Sequence, residues 1–372
     1  MIPTTLPPSG IRPLPDPRRY SITRLQPAVS GGGFELRDHW VWCPSVIRAD
    51  DGTYAMFASR WTKKLPFHPG WLLASEVVLA TAATPEGPYK FHSVVLPARG
   101  AQYWDGKATH NPRILRLPDT HPAFLEHGRR YVLYYTGITY PLPDIVPGAP
   151  IGFTDPCVIA ARASKRVGVA FSKTVYGPWE RLDAPILPAC PGTFYSFLTS
   201  NLAPCLMRDG GVTLIFKSRR YEGNTHGRMM LGVARAAAAA SLHLPHTVFG
   251  RMEIIGPRGE GEVEDPFLWH NGENFELIAK DMTGSLCGEH HAGVHAFSRD
   301  CLDWTLAVPH PKAWTRRVRW DDGHLDALGS VERPFVLFDE HHHPTHLFAA
   351  LADGPGGFRE MTRAWNTCIP LA

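Results

Sequence analysis

The chain lacks the features that would point to a membrane, a disulfide framework or a nucleic acid. No segment of its 372 residues approaches the roughly 18 apolar residues that span a bilayer, and we expect no signal peptide because the first 20 residues lack its apolar run. Its seven cysteines form no CxxC pair, which argues against a disulfide framework and a thiolate zinc site. The 38 basic and 35 acidic residues leave a net charge of +3 and form no block of one sign. We therefore expect a cytoplasmic protein with a small-molecule ligand, and neither nucleic acid nor membrane as partner.

Helical periodicity is also scarce. The strongest helical pattern, "ARAAAAASL" from Ala234 to Leu242, is long enough for only one or two turns. The chain instead has 34 glycines and 35 prolines, which are typical of a protein with many turns. This composition favours an all-β fold.

One pattern recurs five times along the chain. A proline follows polar or small residues and opens an apolar run, in copies that begin near residues 41, 109, 200, 263 and 331. The prolines are Pro44, Pro112, Pro204, Pro266 and Pro334. Each copy continues through a turn into a second strand, and most contain a third and a fourth strand. The turns lie at Asp51-Gly52, Gly128, Asp209 to Gly211, Asn271-Gly272 and His341 to Pro344.

This repeat predicts a five-bladed β-propeller with four-stranded antiparallel blades around a central channel. We expect residues 1–372 to form a single domain, with residues 1–30 as an N-terminal extension. The ring should close where the C-terminal "WNTCIPL" meets the segment Phe34 to Leu36. Two β-sandwiches are the alternative, but they would not explain why the same proline recurs.

The first strand of each propeller blade lines the channel, so the residues before the five prolines should converge. Two carboxylates with separated pKa values are what hydrolysis of a glycosidic bond requires. We predict that Asp265 and Glu332 are the catalytic acid and base, and that Glu264 binds substrate or tunes their pKa values. The residues predicted to bind the sugar beside them are Trp42, His110, Asn111, Asn201 and Arg333.

Further candidates come from strand ends and loops near the same channel mouth. The second strands contribute Arg60, Trp61, Lys217, Arg219, Lys280 and Asp281. His291 and His324 are added as histidines that could reach the pocket, and the weaker candidates are Asp105, Glu222, His226, Asp322 and Asp326. We expect no metal ligand set and no cofactor, and the sequence leaves a structural divalent ion in the channel open.

The hairpins "DGTYAMFASRW" and "GRRYVLYYTG" and the stretch "AFSKTVYGPWERL" resemble the five-bladed β-propeller glycosidases. These are glycoside hydrolase family 43 and its relatives in families 32, 62, 117 and 130, and the resemblance covers nearly the whole chain. It implies a glycosidase that acts on a terminal sugar or a small glycoside. The element Glu264-Asp265-Pro266 is similar to the acidic strand openings of families 32 and 130, but it stands in the fourth unit.

The chain departs from the family 43 pattern at three positions. Cys43 stands where family 43 has its general base, Asn111 replaces the aspartate that tunes the acid, and the third unit offers Asn201 without an acid. Family 117 uses a histidine as general acid, which keeps His110, His291 and His324 as candidates.

Two other functions remain open at this stage. One is a phosphorylase similar to family 130, in which Arg60, Lys217, Arg219 or Arg333 would hold phosphate. The other is a propeller that binds carbohydrate without catalysis.

Overall fold

The computed structural model describes residues 19–223, 225–236, 241–357 and 360–372. Its first two sheets are antiparallel and four-stranded, with strands in sequence order. The first comprises β1 (His39–Arg48), β2 (Tyr54–Thr62), β3 (Glu76–Ala82) and β4 (Lys90–Leu96). The second comprises β5 (Ala108–Arg116), β6 (Tyr131–Ile138), β7 (Arg166–Ser172) and β8 (Glu180–Arg181). Their strands match the sequence-predicted hairpins and the predicted fourth strands.

The next two sheets repeat this order and carry additional short strands. The third comprises β9 (Leu198–Leu206), β10 (Val212–Arg219), β13 (Met230–Ala236) and β14 (Thr247–Arg251), beside the hairpin of β11 (Tyr221–Glu222) and β12 (Thr225–His226). The fourth comprises β17 (Val263–His270), β18 (Phe275–Asp281), β19 (Gly293–Ser298) and β20 (Asp303–Leu306), joined by β15 (Glu253–Gly256), β16 (Gly259–Glu260) and β21 (Lys312–Trp314). A separate hairpin consists of β22 (Arg317–Arg319) and β23 (Leu325–Ala327).

The last sheet is smaller than predicted. It has three strands, β24 (Ser330–Phe338), β25 (Pro344–Ala352) and β26 (Ala364–Pro370). The prediction of five four-stranded blades is therefore wrong: within the described ranges, four sheets have four or more strands and the last unit has three. Phe34 and Asn366 exchange two backbone hydrogen bonds of 2.9 Å, so the N-terminal segment meets β26.

The sheets pack face to face in a propeller arrangement. Apolar side chains of the first sheet, such as Phe57 and Leu79, pack with Leu133 and Tyr135 of the second. Met56 of the first sheet belongs to the same buried cluster as residues of the last sheet, which closes the ring. This packing removes large aromatic and aliphatic surfaces from water, the main favourable term in folding.

Two short helices lie in the connections between second and third strands. The helix α1 (Phe67–Ala74) follows β2, and α3 (Pro156–Ala163) follows β6, while α2 (Pro122–His127) lies between β5 and β6. Asp155 caps α3, because its side chain accepts a hydrogen bond of 2.9 Å from the backbone N–H of Cys157. Buried side chains of α1 and α3 pack together in one apolar cluster. In the described part of the chain, no helix is long and apolar enough to cross a membrane.

The predicted helical turn at Ala234 to Leu242 is wrong in its first part. Ala234 to Ala236 belong to the strand β13, where Ala234 pairs with Leu214. Residues 237–240 lie outside the described residues.

Candidate active site

The first strand of each of the five main sheets bulges at the same place. One residue in each has a positive φ, and the pairing register with the second strand shifts there. These residues are Cys43 (57°), Asn111 (56°), Asn201 (42°), Asp265 (57°) and Arg333 (56°). A non-glycine residue in this region carries backbone strain, and bulges re-aim side chains beside active sites. Five equivalent strained positions therefore mark one shared site.

The bulge corrects the predicted alignment of the third unit. In the other four units the residue with positive φ directly precedes the recurring proline. In the third unit this residue is Asn201, which Leu202 follows. Leu202, and not the predicted Pro204, is therefore the structural equivalent of the other prolines.

The five bulge residues, which we call the belt, contact one another across the channel. Cys43 Sγ donates to Asn111 Oδ1 (3.1 Å), Asn111 Nδ2 to Asn201 Oδ1 (2.9 Å), and Asn201 Nδ2 to Asp265 Oδ1 (2.8 Å). Arg333 also lies 2.8 Å from Asp265 Oδ1. The belt therefore links five chain segments through side chains.

The side chain of Arg113 ties together three of the same leading strands. It is buried, and its guanidinium donates to the carbonyl oxygens of Pro44 (3.2 Å), Leu202 (3.2 Å) and Pro266 (3.3 Å). Burial lowers the pKa of Arg113 to about 10, so the group stays charged at neutral pH. Arg113 therefore has a structural role that the sequence analysis did not foresee.

A cavity of about 360 Å³ opens beside the belt. Ten of the sequence-predicted residues line it: Trp42, Trp61, His110, Asn201, Lys217, Arg219, Glu264, Glu332, Arg333 and the weaker candidate His226. The other lining residues are Phe67, His68, Trp71, Phe153, Arg162, Lys165 and Leu198. Residues from several of the repeated units thus line one cavity, as the sequence pattern predicts.

Two glutamates in the cavity wall share one lysine. Lys280 Nζ lies 2.9 Å from Glu264 Oε2 and 2.9 Å from Glu332 Oε1. Those two oxygens are consequently no more than about 6 Å apart, an upper bound that is compatible with the roughly 5 to 5.5 Å separation of the carboxyl groups in retaining glycosidases. Lys217 pairs with the other oxygen of Glu264, to which Asn201 Nδ2 also donates (3.3 Å).

The surroundings of these glutamates push their pKa values in opposite directions. Burial alone would raise the pKa of Glu264, but the charges of Lys217, Lys280 and Arg333 hold it well below its ordinary value. Burial raises the pKa of Glu332, and the negative charges of Asp265 and Glu264 add to this, although Lys280 opposes it. Glu264 is therefore ionised, and Glu332 keeps its proton to a higher pH than Glu264 does.

His110 and Cys43 form a buried neutral pair beside the acids. His110 Nε2 lies 3.7 Å from Cys43 Sγ, and the His110 ring stacks on Trp71 with centroids 4.8 Å apart. Burial holds the pKa of His110 well below its ordinary value, and burial also raises the pKa of Cys43 to about 11. Neither is a charged acid or an activated nucleophile at neutral pH. Within the described ranges, no three His, Cys, Asp or Glu side chains are grouped to hold a metal ion.

Another part of the cavity lining, which we call the cationic wall, is positively charged. Arg162 and Lys165 come from the end of α3 and the residues after it, and Arg219 comes from the end of β10. Among the described residues, no carboxylate forms an ion pair with any of these three groups. Arg219 instead donates a hydrogen bond to the carbonyl oxygen of Gly227 (2.6 Å). Burial, together with the charges of Lys217 and Arg162, holds the pKa of Lys165 well below its ordinary value.

Aromatic rings from the inserted connections complete the cavity. Phe67, His68 and Trp71 belong to α1, and Phe153 precedes α3. Trp71 contacts both the His110 ring and Lys165 Nζ, which is 5.1 Å from the Trp71 ring centre. The exposed ring of Phe153 leaves an aromatic face that can stack on the apolar side of a sugar ring.

Three predicted site residues lie beneath the cavity rather than in its wall. Asp265 and Asn111 belong to the belt and line a smaller space with Cys43 and Arg113. Lys280 is buried between the acids, 3.6 Å from Asp265 Oδ2. They can position the wall residues without touching a ligand.

Four predicted site residues are engaged elsewhere. Arg60 pairs with Glu76 (2.8 Å), and Asp281 accepts backbone hydrogen bonds that hold the loop after β18. His291 packs against His290, and His324 is exposed beside Asp322. Outside the wall also lie Asp105, paired with Arg99 and Arg181, Asp326, which accepts from Trp320 Nε1, and Glu222, paired with Arg220.

Sequence reasoning missed the contribution of the inserted helices. Arg162, Lys165, Trp71, His68, Phe67 and Phe153 all lie in long connections outside the repeat. The repeat register cannot place such residues. The available signal was the length of these two connections, since long ordered loops in compact proteins are commonly functional.

Comparison with known proteins identifies the fold. No protein-family model and no curated protein sequence matches the chain. Among solved structures, a family 117 glycoside hydrolase of Zobellia galactanivorans is similar, with a TM-score of 0.61, 15% identity, and coverage of 95% of this chain and 92% of that one. A family 43 β-xylosidase/α-arabinofuranosidase from a compost metagenome, in complex with xylotriose, has a TM-score of 0.57, 14% identity and 95% coverage of both chains. For an arabinanase of Bacillus subtilis the TM-score is 0.51 and the identity 10%, over 88% of this chain and 92% of that one. The resemblance inferred from the sequence is confirmed at this level, and the chain has the fold of the β-propeller glycosidases.

Proposed function

We propose that this protein is a glycoside hydrolase that holds a terminal sugar or a small glycoside in the cavity. Glu332 is the general acid, and Glu264 is the base or nucleophile. The observation that carries this assignment is the pair of neighbouring glutamates whose pKa values are shifted in opposite directions. The saccharide-bound and glycosidase neighbours support carbohydrate as the ligand class.

This assignment exchanges the roles of Glu264 and Asp265 relative to the sequence prediction. Asp265 does not line the cavity, and one of its oxygens already accepts hydrogen bonds from Asn201 and Arg333. We assign it to positioning Arg333 and Asn201. The short span between Glu264 and Glu332 favours a retaining mechanism, in which the ionised carboxylate attacks the sugar directly.

The phosphorylase alternative is less well supported by the charges of the cavity. Of the four residues predicted to hold phosphate, Arg60 pairs with Glu76, Lys217 with Glu264, and Arg333 with Asp265. Only Arg219 remains without a carboxylate partner among the described residues. A non-catalytic sugar-binding protein would have no need for two carboxylates with separated pKa values.

The test is turnover of a panel of aryl glycosides by the wild type, Glu264→Gln and Glu332→Gln. Each variant keeps the shape of the side chain, and each should lower kcat by about 10² to 10⁴ because one proton-transfer or nucleophilic role is lost. The matched control is Glu180→Gln, since Glu180 pairs with Arg129 on the surface. Circular dichroism and thermal unfolding check that the variants fold.

The outcomes separate the candidates. Hydrolysis without phosphate supports the hydrolase, and strict dependence on phosphate supports the phosphorylase. Rates within twofold of the wild type in both variants would refute the assigned roles.

A further inference from the structure

The cavity has more positive charge than its acids can balance. Of the described residues that line it, five carry cationic side chains and two carry carboxylates. Two of the cations, Lys217 and Arg333, already pair with Glu264 and Asp265. Arg162, Lys165 and Arg219 line the cavity and form no ion pair with a carboxylate in the described part of the chain.

Holding these three cations close together raises the free energy of the folded protein when no ligand is bound. Lys165 is only 3% exposed, and its burial is not offset by an ion pair with any described residue. Arg162 and Arg219 are close enough that the charge of Arg219 adds to burial in lowering the pKa of Arg162. Buried charges are normally paired, and an unpaired cluster at a cavity is stabilised by an anion that enters with the ligand.

The neighbouring groups indicate what kind of anion fits. Lys165 Nζ lies over Trp71, and the rings of His68 and Phe153 also line the cavity. Arg162 stands in the last turn of α3, where backbone carbonyls and not N–H groups face outward. A free phosphate would meet only the cations, whereas a carboxylate on a sugar ring would meet the cations and place its ring on the aromatic faces.

We propose that the cavity takes a glycoside of an acidic sugar, and that Arg162, Lys165 and Arg219 bind the carboxylate of that sugar. This inference rests on the proposed glycosidase function, since it names the substrate class for the same cavity. The carboxylate lies on the cationic wall, and the anomeric carbon lies toward Glu264 and Glu332. The cations thereby orient the sugar and exclude neutral analogues, which leave them unpaired.

The experiment measures binding rather than turnover, by isothermal titration calorimetry. The probes are three pairs that differ only in oxidation at one carbon: D-glucuronate and D-glucose, D-galacturonate and D-galactose, and D-mannuronate and D-mannose. Inorganic phosphate is a separate arm. At least one uronate should bind the wild type at least tenfold more tightly than its neutral counterpart.

Two variants locate the preference on the proposed wall. Lys165→Met and Arg162→Met keep much of each side chain's apolar length and should each weaken uronate binding at least tenfold. Arg317→Met is the matched control, because Arg317 lies exposed on β22 away from the cavity. It should bind every probe like the wild type. The preference should also weaken with added salt.

The results distinguish failure of this inference from failure of the proposed function. Uronate selectivity that is lost in both variants supports the inference even if no aryl glycoside is hydrolysed. Equal binding of uronates and neutral sugars, binding of phosphate alone, or selectivity that survives both substitutions would overturn it. Hydrolysis of neutral glycosides would then still support the glycosidase.

Discussion

The two walls of the cavity differ in how their charges are balanced. On the acidic wall, Glu264 and Glu332 share Lys280, and Lys217 holds Glu264 from its other side. On the cationic wall, no described carboxylate forms an ion pair with Arg162, Lys165 or Arg219, although the charge of Glu264 acts on Lys165 from a greater distance. The fold therefore balances the charges of the acidic wall by itself, whereas the proposed acidic ligand would balance those of the cationic wall. Preorganised groups suit catalysis, and unbalanced groups suit binding.

The largest effect is expected from removing the lysine charge that the carboxylates of the acidic wall share. Lys280→Met removes the cation between three buried carboxylates, and breaking such a pair should lower the free energy of unfolding by about 3 kcal/mol or more. Urea unfolding at pH 7 measures this change. An unchanged free energy of unfolding would show that Lys280 does not hold the acids.

The same substitution should move the pH profile of activity. The proposed mechanism uses Glu264 ionised and Glu332 protonated. Activity should therefore be lost as the pH falls through the lowered pKa of Glu264, and also as the pH rises through the raised pKa of Glu332. Removing the Lys280 charge raises both pKa values, and both limbs of kcat/KM should shift to higher pH. Limbs that stay in place would contradict this account of the pair.

A smaller effect of opposite sign is expected on the unbalanced wall. Lys165→Met removes a buried charge that has no acid partner among the described residues, so the unliganded protein should become roughly 1 kcal/mol more stable at pH 7. Because the folded pKa of Lys165 is lowered, the wild type gains stability as the pH rises from that pKa toward the ordinary lysine value of about 10.4. The difference between variant and wild type should therefore shrink at high pH. Urea unfolding across this pH range, with Arg317→Met as the control, measures whether the free energy of unfolding rises or falls in the variant. A less stable variant would show that another group already neutralises the charge of Lys165.

The smallest effect concerns Cys43, which lies beneath both walls. Burial raises its pKa to about 11, so the thiol is protonated and unreactive at neutral pH. Iodoacetamide at pH 7.5 should label the exposed Cys190 first and leave turnover within twofold of the untreated protein. Rapid loss of activity with labelling at Cys43, mapped by peptide mass, would indicate an accessible thiolate there.

Much of the fold was predictable because it repeats. The hairpins, their turns and the meeting of Phe34 with Asn366 follow from a recurring pattern of prolines, apolar runs and turn residues. The three-stranded last sheet was not predictable, since nothing in the repeat requires its fourth strand. Pro204 misled the alignment because Leu202 opens the strand after the bulge in that unit.

The candidate site was predictable only where it lies on the repeat. Glu264, Glu332 and Arg333 were found because they stand directly at the bulges. The sequence could not tell which of Glu264 and Asp265 faces the cavity, because that depends on how the bulge turns each side chain. Arg162, Lys165 and Trp71 reach the cavity through packing of α1 against α3, which carries no periodic signal.

The belt also has a direction. From Cys43 through Asn111 and Asn201, each side chain donates a hydrogen bond to the next, and Asp265 accepts at the end from Asn201 and from Arg333. A carboxylate can only accept, so Asp265 and Glu264, which both accept from Asn201 Nδ2, together set which way the two amides face. An asparagine in place of Asp265 would leave Asn201 oriented by one carboxylate instead of two, and the row of hydrogen bonds across the propeller would lose its acceptor end.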